Sequence, residues 1–137
     1  MSMPRILIIL ALLCPASAFA ELGISDARIK HLPPSVPVRA GYMTIHNPSQ
    51  VAVVIDSIYS DAFTSIEIHR SVMQDGMRRM DPVDKLQIAP GASLQLAPGG
   101  LHLMMLPLEP TRPGNEIEII LQLDDGSEQP VKMKVIN

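Results

Sequence analysis

The sequence predicts an all-β domain, a Greek-key sandwich of two sheets, and three features carry that reading. Turn signals rich in Pro, Gly, Asn and Asp recur at short intervals along the chain. Between them lie segments that alternate apolar with polar residues or are dense in Val and Ile. No stretch keeps apolar residues at i, i+3 and i+4 for the ten or so positions an amphipathic helix needs. Short strands at this spacing favour a sandwich over a helical or mixed fold.

The elements follow in order. Ile24–His31 ends at Pro33-Pro34, and Val38–His46 ends at Asn47-Pro48. Val51–Tyr59 is rich in Val and Ile. Ser65–Met73 alternates Ile66 and Ile68 with Glu67 and His69, then meets Asp75-Gly76, a two-residue hairpin signal. Met77–Met80 is the returning arm. Lys85–Ile88 runs to Pro90-Gly91, Ser93–Leu96 to Pro98-Gly99-Gly100, and Leu101–Leu106 follows directly. Glu116–Leu123 lies between Pro113-Gly114 and Asp124-Asp125-Gly126. Val131–Ile136 closes the series, with Val131, Met133 and Val135 alternating with lysines.

Composition bounds the function. The chain has 137 residues, which suits one domain. Aromatic residues are 3%, Trp is absent and the formal charge is −3, so the basic stripe and stacking rings of a nucleic-acid binder are missing. Residues 1–20 read as a signal peptide: Arg5 gives the positive start, Ile6–Leu13 the apolar run, and Ala18-Phe19-Ala20 the small-x-small site. The run is too short to span a membrane, so no membrane span is expected. Cys14 follows the bulky Leu13, where lipid attachment needs a small residue. Cleavage after Ala20 leaves a single domain, residues 21–137, without any thiol and so without disulfide chemistry.

Gly-rich phosphate loops, nucleophile elbows and cysteine nucleophiles are all missing, which argues against an enzyme. His and Met, by contrast, fall together between Glu67 and Met105. In a strand His102 and Met104 share one face, while Leu103 and Met105 point into the core. The Asp75-Gly76 turn folds the segment carrying Met80 back on the one carrying His69. Two imidazoles and two thioethers are then candidates to converge at one rim of the sandwich. Such donors select Cu(I), because thioethers bind hard cations and zinc poorly. Taken alone, His102-Leu103-Met104 reads better as an ordinary strand with a packing Met and a surface His.

Ten residues separate His69 from Met80, twenty-one separate Met80 from His102, and Met104 completes a His-x-Met. At this spacing the sequence resembles the periplasmic copper(A) chaperone family, PCuAC. The resemblance extends to Gly41-Tyr42-Met43-Thr44-Ile45, Asn47, Asp75-Gly76, Arg79-Met80 and Pro98-Gly99-Gly100-Leu101-His102-Leu103-Met104. It implies a cupredoxin-like fold and one Cu(I) per monomer, held by His69, Met80, His102 and Met104. It also implies a periplasmic location and delivery to the binuclear copper site of cytochrome c oxidase subunit II. A thiol-free carrier would need another agent, such as a thioredoxin-like copper-delivery protein, to keep the recipient's cysteines reduced. Many relatives carry further methionines where Ile68 and Arg78 stand here, and some carry a His/Met-rich tail that Asn137 is not followed by. These departures bear on a second copper ion.

Three rival readings remain. A blue-copper electron carrier needs a Cys ligand that the processed chain lacks. Copper sequestration without delivery would use the same four residues, and a structural immunoglobulin-like module would use none of them. Among the other residues, Met43 reads as core; Met73 and Met77, in the same hairpin, read as core packing with a spare thioether as the alternative; and Met133 reads as core or sheet surface. His31 and His46 lie at loop edges. Glu67 shares a face with His69 and reads as a solvated surface carboxylate, with orientation of the His69 imidazole as the alternative, and Arg70, Arg78 and Arg79 form a small basic patch.

Neutral thioethers do not take up protons, so acid acts on such a site through its imidazoles alone. Imidazole in water protonates around pH 6.5, and a protonated ring has no lone pair to give. Cu(I) affinity is therefore expected to fall as pH is lowered from about 7.5 to about 5. Competition against a Cu(I) chelator across that range checks it, and a flat profile would rule out His ligation.

Overall fold

The computed structural model describes residues 21–137; the predicted leader 1–20, with Cys14, lies outside the described residues. Ten strands form: β1 Gly23–Lys30, β2 Arg39–His46, β3 Val53–Tyr59, β4 Phe63–Gln74, β5 Met77–Pro82, β6 Leu86–Ile88, β7 Ser93–Leu96, β8 Leu101–Pro107, β9 Glu116–Leu123 and β10 Glu128–Ile136. Among the described residues there is no helix. The all-β, cupredoxin-like or immunoglobulin-like class expected from the sequence is what forms.

The strands hydrogen-bond in one continuous path, β5-β4-β8-β2-β1-β10-β9-β3-β6, with β7 also on β2. Alternate residues of strands along this path enter a single apolar cluster that includes Met43, Ile55, Leu103, Met105, Ile119 and Met133. A flat ladder cannot bring distant strands into one cluster. The ladder therefore folds over on itself, and the two layers of the sandwich are halves of one sheet. Each fully buried side chain of this size contributes roughly 1.5–3 kcal/mol relative to exposure. Met43 is core as expected, and of the two readings for Met133, core or sheet surface, core is the one that forms.

Two details of the ladder were not foreseen. Pro98-Gly99-Gly100 does not reverse the chain. Both β7 and β8 run antiparallel to β2, β7 against Met43–His46 and β8 against Arg39–Gly41. The turn is an excursion from what is otherwise one line of chain, closed by Gly100 N–H to the Ala97 carbonyl (3.1 Å) and Ala97 N–H to the Leu101 carbonyl (2.8 Å). Strand β10 also begins earlier than Pro130 suggests, since Pro lacks the N–H a ladder uses. The parallel β1 ladder reaches β10 only at Lys134, so no β1 bond is lost at Pro130. Further up, the Gln129 side chain bonds both the N–H and the carbonyl of Leu22 at 2.8 Å, in place of a strand.

Two buried polar side chains fix the connections. Asn47 donates its amide to the carbonyls of Val51 (2.8 Å) and Ile88 (3.0 Å), tying the β2–β3 turn to β6. Arg39 donates to Thr111 Oγ1 (2.8 Å) and to the carbonyls of Val36 (2.9 Å) and Val38 (3.0 Å), joining the segment before β2 to the one after β8.

Strand β2 approaches β8 closely at Gly41, where a Cβ would lie 2.9 Å from Met105 Sδ and 3.1 Å from Leu103 Cβ. Both neighbours are fully buried, so neither has free room to retreat. Gly41→Ala is expected to lower stability by about 1–3 kcal/mol, the usual range for an overpacked core. Urea denaturation with an unchanged m-value would register it.

Candidate metal centre

The register between β4 and β8 decides what this face can do. His69 lies directly opposite His102, and Glu67 opposite Met104, while Ile68 opposite Leu103 points the other way into the core. On the far side of β4, Ser71 lies opposite Met80 of β5. Because residues two apart share a face and paired residues share one, His69, Met80, His102 and Met104 all project from the same outer face. Their place is the outer face of the β5-β4-β8 edge, at the end where β8 begins, rather than a rim loop of the sandwich.

Directly opposed side chains stand about 4.5–5.5 Å apart at Cβ and diagonal ones about 7–8 Å. His69 is opposed to His102 and diagonal to both Met80 and Met104, so it is the middle of the group. Its ring centroid lies 6.1 Å from that of His102, with the planes tilted by 41°. Met80, His102 and Met104 line an open pocket of about 270 Å³, together with Tyr42, Arg78 and Pro98. His102 is buried to 6% exposure although it points outward. The Ala97–Gly100 excursion lies beside it and contributes Pro98 and Gly99 to the pocket wall.

Hydrogen bonds fix the protons on both rings. His69 Nε2 is 2.8 Å from Glu67 Oε2, and a carboxylate only accepts, so Nε2 carries the hydrogen. The lone pair of the neutral ring is then on Nδ1, a buried atom without any hydrogen-bond partner. His102 Nδ1–H donates to the Gly100 carbonyl (3.1 Å), which leaves its lone pair on Nε2. A buried nitrogen lone pair with nothing to accept costs roughly 1–3 kcal/mol. An imidazole whose other N–H is held by a carboxylate or a backbone carbonyl is the usual state of a metal-binding histidine.

Of the two readings the sequence offered for Glu67, the one that forms is the carboxylate that orients His69. Its face-sharing with His69 was legible, but the hydrogen bond depends on rotamers that sequence does not give. Tyr42 was missed as a pocket residue; it is carried by β2 and has Arg28 over its ring, 5.2 Å from guanidinium carbon to centroid. Met73 and Met77 correct the core expectation, being 67% and 72% exposed. They sit on the β4–β5 hairpin at the edge of the path, with no second layer over either one. The expected basic patch is split by the register: Arg78 shares the outer face with Met73, Arg70 and Arg79 lie on the other, and Arg79 is paired with Asp81 at 2.8 Å. His31 and His46 lie apart from the group, His46 at the end of β2 bonded to Ser93 (2.9 Å).

Known proteins match this chain at both levels. The family described as "Putative lipoprotein LpqE-like" matches residues 22–135. A "Putative lipoprotein" of Leifsonia xyli subsp. xyli is 31% identical over 98 residues, covering 70% of this chain and 59% of that protein. An uncharacterised protein of Rickettsia prowazekii is 30% identical over 100 residues, covering 72% and 55%. The chain thus spans somewhat more than half the length of these curated relatives.

Among solved structures, the Cu(I) form of DR1885 from Deinococcus radiodurans superposes with a TM-score of 0.67 at 28% identity, covering 88% of this chain and 83% of that one. The copper-bound PCuAC domain of PmoF2 gives 0.69 at 17% identity, covering 84% and 92%, a likeness of fold. With its ten-stranded fold and its His/Met face described, the chain belongs to the LpqE-like family and has the fold of PCuAC domains.

Proposed function

We propose that this protein is an exported copper carrier that binds one Cu(I) through His69, Met80, His102 and Met104, working in the periplasm as a monomer. The observation that carries the reading is the lone pair of His69 Nδ1, buried and unanswered, on the face that also holds His102, Met80 and Met104. An ion about 2 Å from each of two imidazole nitrogens puts the ring centres on the order of 5–6 Å apart. The 6.1 Å separation is close to that range and small side-chain rotations bridge the rest. That DR1885 is a Cu(I) protein supports the choice of ion.

The donor set suits cargo. Two thioethers and two neutral imidazoles add no negative charge, so Cu(I) is held through polarisable donors, and a recipient offering thiolates binds it more strongly. Ligands can then be exchanged one at a time at an exposed face. The recipient we propose is the binuclear copper site of cytochrome c oxidase subunit II, with a thioredoxin-like protein keeping its cysteines reduced. Mixing Cu(I)-loaded protein with the isolated soluble domain of subunit II tests this: copper should leave the carrier, and copper that stays would mean sequestration.

Two substitutions separate the roles of the residues. Glu67→Gln keeps the size of the side chain but loses the charge that orients His69, and is expected to weaken Cu(I) binding by about 10–100-fold. Met80→Ala removes a half-exposed side chain from an edge strand. It should reduce affinity further still and leave the thermal midpoint within a few degrees of the parent. Chelator competition alongside thermal denaturation checks both, and an unchanged affinity in Met80→Ala would remove it from the site.

A further inference from the structure

The β4–β5 hairpin carries a feature that the four-residue site does not use. Met73 lies in β4 two residues beyond Ser71 and four beyond His69, so all three share the outer face. Ser71 is opposite Met80, which places Met73 diagonal to Met80 on that same face, about 7–8 Å away. Both thioethers are open to solvent, Met73 at 67% and Met80 at 47% exposure. The turn that sets this pairing is tight: Asp75 and Gly76 both have positive φ, 53° and 75°, as a two-residue hairpin loop requires. The register from Gln74↔Met77 to His69↔Pro82 is therefore continuous.

We infer that Met73 is an exchange ligand, forming with Met80 a transient two-sulfur Cu(I) site through which the ion enters and leaves the four-residue site. This rests on the proposed Cu(I) function.

Spacing is the first argument. Four residues along a strand separate Met73 from His69 by roughly 13 Å, so Met73 cannot share an ion with the two imidazoles. Met80 lies between and reaches either way. An ion held by Met73 and Met80 moves inward when His69 or His102 displaces Met73, and outward by the reverse. Each step replaces one neutral donor by another at an unchanged Cu(I), so charge and electrons balance without any redox partner.

Charge is the second argument. Arg78 stands directly opposite Met73 on this face. Arg78 also lines the pocket of Met80, His102 and Met104, so its guanidinium opposes a cation at both places, and the two-sulfur pair has no imidazoles to hold the ion against it.

Met77 supplies the internal control. It is as exposed as Met73, at 72%, and on the same hairpin, but its register opposite Gln74 puts it on the other face. The experiment compares Met73→Leu and Met77→Leu, both volume-conserving at exposed positions. Cu(I) affinity is measured by titration against bathocuproine disulfonate, and Cu(I) release to excess of the same chelator by stopped flow.

Met73→Leu is expected to keep the affinity of the parent while slowing release about fivefold or more, with Met77→Leu matching the parent in both. Unchanged release in Met73→Leu overturns the inference. So does equal slowing in Met77→Leu, or a loss of affinity in Met73→Leu as large as that in Met80→Ala. Failure of the parent protein to bind Cu(I) would overturn the carrier reading itself, and it shows in the first titration before any variant is compared.

Discussion

The antiparallel register between β4 and β8 is the constraint on which the rest depends. A strand has a side-chain period of two, so sliding one partner by a single residue would turn every side chain to the opposite face. In the observed register Ile68 meets Leu103 and Ile66 meets Met105 on the inner face, while His69 meets His102 and Glu67 meets Met104 on the outer one. The burial of Leu103 and Met105 holds this alignment, so the hydrophobic core and the polar face are specified by one choice. The His/Met face needs no stabilising energy of its own to stay assembled. A slip of β8 would turn His102 and Met104 inward and expose Leu103 and Met105, its most deeply buried side chains.

That coupling explains how much of the molecule was legible in the sequence. All ten strands were, because alternation and turn residues report backbone period directly, and Leu103, Met105, Met43 and Met133 followed from it. The shared face of His102 and Met104 was legible for the same reason. Long-range pairing was not. The spacing of His69, Met80 and His102 carried the resemblance to a family, but only the ladder puts His69 across from His102. Pro98-Gly99-Gly100 reads as a reversal because such residues usually make one, whereas here β7 and β8 both pair with β2 and the turn bulges out beside His102. Met73 and Met77 look like core by hydrophobicity, yet Met73 is exposed because the register turns it to the outer face and Met77 because β5 is the edge of the path.

Edge position also bears on how a metal could be handed over. An unpartnered β-edge is ordinarily a hazard for strand addition, and charge along it is one way such edges are kept apart. Strand β5 carries Arg78, Arg79 and Asp81 in six residues, which discourages another strand from pairing while leaving its side-chain faces open. A site on this edge can be approached by a second protein without any opening of the sandwich. A site in the middle of the ladder, among β1 and β10, would be flanked by strands on both sides and harder to reach.

The two histidines differ in a way that fits opposite duties in the proposed carrier. His102 is nearly buried and its Nδ1–H is held by a backbone carbonyl beside the Ala97–Gly100 excursion, so its ring is fixed by the main chain. His69 is held by the carboxylate of Glu67, itself exposed at 61%, so its ring is fixed by a side chain in contact with water. A carboxylate makes the imidazole a better donor while it stays in place, and a partner presenting a cation to Glu67 would draw it away. The ion would then lose its hold on the β4 side first, where Met80 and the open edge lie, with His102 and Met104 on β8 the last to let go. Release toward the edge rather than toward the core follows from where the backbone braces one ring and leaves the other to a surface side chain.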